Sequence, residues 1–129
     1  MKEFKDRLYD YIAELDWVSF CNIRQKFPES RGDMLFFVGV KNLCLYGGLS
    51  DLVIDALIDL RKDERIIYKP THTLTYLIDG GLMKFPIPKR IPKDGFKTPR
   101  WMPTTIRTID KEPSYYRISS KATRAEIKP

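Results

Sequence analysis

Apolar side chains in the first eighty residues recur at helical spacing, and that rhythm breaks at two places. Phe4, Leu8, Tyr11, Ile12 and Leu15 form one stripe over residues 2–15, leaving Lys5, Asp6, Asp10 and Glu14 for solvent; this predicts an amphipathic helix. Residues 17–18 read as a short extended link. Ser19 then caps a second helix that turns Phe20, Ile23 and Phe27 inward, and Pro28 stops it before the polar turn 29–33. A third, long helix is predicted from the Ser50 cap to about Glu64, with Leu52, Val53, Ala56, Leu57 and Leu60 on the core side.

Residues 34–46 fit two patterns. Leu35, Phe36, Val40, Leu43 and Leu45 suit a buried helix ended by Gly47 and Gly48, whereas 34–38 alone would suit a short buried strand. The helix is the favoured reading. Runs 65–69 and 73–78 are rich in β-branched and aromatic residues around Pro70, Thr71 and His72, and predict an antiparallel hairpin closed by Gly80 and Gly81.

After Gly81 the composition changes. Seven of the nine prolines lie from Pro86 onward, so 85–92 is expected to be extended; runs 104–109 and 114–119 suggest a second, smaller hairpin around 110–113. The predicted fold class is therefore α+β: a small domain over residues 1–81 with three or four helices and a hairpin, then a basic, Pro-rich extension over 82–129.

Charge divides at the same point. Residues 1–80 carry 11 Lys/Arg against 13 Asp/Glu, a net −2, while 81–129 carry 12 against 4, a net +8. A cationic half beside a mildly acidic one suggests an anionic partner, most often nucleic acid. Two cysteines and one histidine cannot furnish a Cys/His zinc site of the usual kind, and Cys21 and Cys44, set among apolar neighbours, read as buried thiols. No nucleophile motif accompanies His72, and the glycine pairs lack the surroundings of a phosphate loop, so neither an enzyme nor a cofactor is expected. No apolar run is long enough for a membrane span, and the alternating charges of residues 2–7 do not resemble a secretory signal, so a cytoplasmic protein is expected.

The second-helix pattern Ser19, Phe20, Ile23, Phe27 and the block Ser50, Val53, Ala56, Leu57, Leu60, Arg65, Ile66, Ile67, Tyr68 resemble the winged helix-turn-helix superfamily over residues 2–80. That resemblance implies DNA binding, with the third helix in the major groove and the hairpin on the flanking backbone. The residues of that helix oppose this placement. Asp51, Asp55, Asp59 and Asp63 recur every four positions, a carboxylate row that phosphates flanking the groove would repel.

Contact with nucleic acid, DNA before RNA, is therefore assigned to the extension and the hairpin. Lys84, Lys89, Arg90, Lys93, Lys97 and Arg100 would neutralise phosphates, Trp101 would stack on bases, and Arg65, Lys69 and His72 would add contacts from the hairpin. Phe85, Phe96 and Trp101 could equally pin the extension onto the body. The alternative function is a protein-interaction module in which the Asp51–Asp55–Asp59–Asp63 row and the extended segment 86–92 dock on a basic protein. A homodimer is compatible with either.

Overall fold

Phe4, Leu8 and Ile12 are buried along one side of helix α1 (Phe4–Leu15), as their spacing requires, while Leu15 at the last turn is exposed. The structure, a computed structural model, describes residues 2–112. A two-residue strand β1 (Val18–Ser19) leads into α2 (Phe20–Lys26). Ser19 caps α2 with a reciprocal box: its hydroxyl accepts from the Asn22 amide at 3.1 Å, and the Asn22 side chain accepts from the Ser19 amide at 2.9 Å. Pro28 opens a single 3-10 turn, Pro28–Ser30, beyond the helix end.

The segment 34–46 is not a helix. It belongs to two antiparallel strands, β2 (Arg31–Phe37) and β3 (Leu43–Leu49), joined through residues 38–42. Of β2 only Phe36 is buried, so the alternative of a buried strand over 34–38 also needs correction: Met34, Leu35 and Phe37 lie outside on an edge strand. β3 is covered on both faces and shows four successive buried residues, 43–46. A strand buried on both faces gives no period-two alternation, which is why it imitates a helix in sequence.

Helix α3 (Asp51–Lys62) follows, capped by Ser50 Oγ accepting from the Val53 amide at 3.3 Å. Val53, Ala56, Leu57 and Leu60 are buried as expected, but Leu52 is exposed. The predicted hairpin forms only in its first half. β4 (Ile66–Pro70) is a strand, whereas 73–78 lies in helix α4 (Thr73–Asp79). His72 Nδ1 accepts from the Leu74 amide at 3.0 Å to start α4, and Gly80 in the left-handed region ends it. Those two caps, with Tyr76 buried on the inner side, override the β propensity of Thr73, Leu74, Thr75 and Ile78.

Strand partners for β4 come from beyond Gly81. β6 (Thr104–Thr108) runs antiparallel to β4 and to β1, giving the sheet order β1–β6–β4. β5 (Arg100–Trp101) adds in parallel to β3, giving β2–β3–β5. The fold is thus α+β, with four helices and two small three-stranded sheets among the described residues. Strand 104–108 pairs with β1 and β4; the hairpin partner expected for it, 114–119, lies outside the described residues. The expected boundary at 81/82 follows the end of α4, but no break in the core accompanies it, because Trp101 and Ile106 share one hydrophobic cluster with Leu8, Phe20 and Leu57.

Candidate nucleic-acid interface

Trp101 is fully buried, and its indole nitrogen donates to the Leu45 carbonyl at 3.1 Å. Its ring meets Tyr76 edge-on at 5.2 Å. It cannot stack on a base, and its role is corrected to that of a core anchor. Phe85 packs against the same core, and Phe96 has the Arg100 guanidinium 5.6 Å above its ring. The aromatic side chains of this stretch therefore hold the chain in place, and the base-stacking expectation loses its platform.

What these anchors leave outside is a cationic loop over residues 82–99. Its start is fixed where Tyr46 donates its hydroxyl proton to the Gly81 carbonyl at 2.6 Å and accepts from the Cys21 thiol at 3.1 Å. A Cβ at position 81 would collide with both the Cys21 sulfur and the Tyr46 hydroxyl, so glycine is required there. The middle is tied to the turn between β2 and β3: the Phe96 amide donates to the Lys41 carbonyl at 3.0 Å, and Asn42 Nδ2 donates to the Phe96 carbonyl at 2.8 Å. Gly95, at φ 78°, lies so close to the Lys41 backbone that a side chain would not fit. The Trp101 amide closes the loop onto the Pro86 carbonyl at 3.0 Å.

Lys84, Lys89, Arg90, Lys93 and Lys97 are all exposed on this loop, with Asp94 as its one carboxylate, and none of the five enters an ion pair among the described residues. Lys41, exposed beside Gly95 and Phe96, adds a cation that sequence reading did not single out. Its only signal is tertiary, since more than fifty residues separate it from the loop it joins.

The other expected contacts are placed differently. The Arg65 guanidinium stacks 4.0 Å from the Tyr9 ring centroid. Lys69 Nζ lies 3.3 Å from Glu112, whose carboxylate is almost wholly buried and also accepts from Arg107 at 3.0 Å. His72 caps α4 instead of occupying a hairpin tip. Each of these residues makes a contact within the fold, and the hairpin expected to present them does not form.

Glu112 thus sits, itself nearly buried, between two partly exposed cations. Glu112→Ala should cost about 1.5–3 kcal/mol, the range for hydrogen bonds to charged groups, by removing the carboxylate that Lys69 and Arg107 share, as read by chemical denaturation. Arg107 also donates to Asp16 at 2.8 and 3.1 Å and lies over the Trp17 ring at 4.0 Å. Its hydrogen bond holds the Asp16 carboxyl below the usual carboxylate range. A lowered folded-state pKa contributes stability that is fully present above about pH 4 and is lost as pH falls through the folded value. Asp16→Asn should therefore lower stability at neutral pH and flatten the acid limb of a stability–pH profile.

Along α3, Asp51, Asp55 and Asp59 are exposed, while Asp63 accepts from Lys5 Nζ at 3.0 Å. The cationic loop contributes no ion pair to this row. Burial raises both thiols, Cys44 to about 11, so each is protonated at neutral pH and poorly suited to nucleophilic or ligand chemistry. Among the described residues no group of His, Cys, Asp and Glu is arranged to hold a metal ion, and no helix is long and apolar enough to cross a membrane. No protein-family model, curated protein or solved structure matches the chain.

Proposed function

We propose that the protein binds nucleic acid, DNA before RNA, by laying the 82–99 loop against the sugar-phosphate backbone. One observation carries this reading: five exposed cations with a single carboxylate share a loop that is anchored at its start, middle and end. An anchored loop loses little conformational freedom on binding, so its charges act together. With Trp101 in the core, affinity comes from phosphates and carries little base preference. Fluorescence anisotropy with labelled duplex DNA at 25–200 mM salt tests it, and absence of binding at the lowest salt would end it.

The winged-helix resemblance offers less support for groove insertion, since α3 presents its Asp row outward and 73–79 is helical. A second reading, docking of a basic protein partner on α3, rests on the exposure of Asp51, Asp55 and Asp59 beside exposed Leu52 and Ile58. Under it, Asp55→Lys/Asp59→Lys abolishes partner capture and leaves DNA affinity equal or raised. Unchanged capture by that variant removes the row from consideration.

A further inference from the structure

Next to the point where the cationic loop leaves the body, α2, the start of β2 and the end of α4 enclose a pocket of about 240 Å³. Two arginines line it, and both are pinned at one end. Arg24 Nε donates to the Gly48 carbonyl at 3.0 Å, and Arg31 Nε donates to the Arg24 carbonyl at 2.7 Å. Neither guanidinium enters an ion pair among the described residues, so the terminal nitrogens of both keep their donors for a ligand. Gln25 adds an amide to the lining, and Asp79 supplies its one carboxylate, held by Ser19 Oγ at 2.7 Å.

Two guanidinium forks beside one another favour a tetrahedral or planar oxyanion. The volume lies below the roughly 300 Å³ at which pockets begin to enclose drug-sized ligands, so a single terminal group fits better than a whole nucleotide. Asp79 narrows the chemistry further. The formal charge of the lining is +1, and a carboxylate in the wall, with one oxygen held by Ser19, favours a ligand that brings a donor of its own. A phosphomonoester retaining one proton is a monoanion with a P–OH to give to Asp79; an internal phosphodiester has the charge without the donor, and needs two exits for its ester arms. Gly80 and Gly81 form both the wall of this pocket and the root of the loop.

We propose that the pocket receives the terminal phosphate of a nucleic-acid strand whose backbone runs along the 82–99 loop. This rests on the function proposed above and adds strand-end recognition to it. The test compares otherwise identical labelled DNA strands ending in 5′-phosphate, 3′-phosphate or hydroxyl, with inorganic phosphate as competitor. One phosphorylated end should bind about tenfold tighter than the hydroxyl-ended strand. Arg31→Gln, at an exposed position, should erase that preference while leaving hydroxyl-ended affinity within about twofold. Arg24→Lys, which keeps the charge and loses the fork, should weaken the preference as well. Millimolar inorganic phosphate should reduce only the end-dependent part.

Equal binding of all three strands overturns the terminal-phosphate proposal and leaves the loop reading standing. Failure of every strand to bind overturns both. Saturation by inorganic phosphate with no gain for phosphorylated strands also overturns the proposal, and marks the pocket as a site for free phosphate.

Discussion

Lys89→Ala/Arg90→Ala/Lys93→Ala should flatten the salt dependence of DNA binding more than any other change on the surface. Counterion release gives a log–log slope of about −0.9 per phosphate neutralised. If each of the five exposed loop cations meets one phosphate, affinity falls on the order of 500-fold between 50 and 200 mM salt. The triple variant should reduce the slope by about 2.7 and leave folding intact, since none of the three residues enters an ion pair among the described residues. Replacing Arg65 or Lys69 instead should leave the slope nearly unchanged, because Arg65 lies on Tyr9 and Lys69 on Glu112. An unaltered slope in the triple variant would transfer the contact to another surface.

The second large effect concerns the integrity of the fold. Trp101→Ala should cost about 3–5 kcal/mol, as for other buried Trp truncations, a large share of the roughly 5–15 kcal/mol that stabilises most domains. The residue lost contacts Tyr46 and Tyr76 and leaves the Leu45 carbonyl without its indole donor. A fragment of residues 1–81 goes further. It lacks β6, the central strand between β1 and β4, and β5, the parallel neighbour of β3. Tyr76 also loses the Thr104 carbonyl to which it donates at 2.5 Å. That fragment should show neither a cooperative thermal transition nor dispersed amide resonances. Cooperative unfolding of the fragment would mean that 1–81 holds a complete core.

Local patterns in the sequence were sufficient wherever a helix buries one face along its length. α1, α2 and α3 are of this kind, down to the Ser19 and Ser50 caps. They misled where tertiary contacts decide. β3 reads as helix because both of its faces are covered and no residue of 43–46 faces water. The 73–78 run reads as strand because the terminal caps of α4 outweigh the β preference of its interior. The partner of β4 lies more than thirty residues downstream, beyond the range of any local turn signal.

The candidate site follows the same division. The loop cations were legible as charge, since a net +8 in 49 residues needs no coordinates to see. Which of them the fold engages was not legible. Lys69 is drawn inward by Glu112, while Lys41 is brought alongside from the turn after β2 by a contact with Gly95. Arg24 and Arg31 drew no notice because their relation to Asp79 requires the end of α4 to return against α2.

The position of β6 has a bearing on biosynthesis. Val18 of β1 meets Ile106 and Lys69 of β4 meets Thr105, so two early strands share a mate that leaves the ribosome roughly 40 residues after the later of them. At about 5–20 residues per second, that is a wait of several seconds with open edges. Chaperones that shield nascent chains should therefore engage this polypeptide during that interval and release it once Thr108 has cleared the exit tunnel.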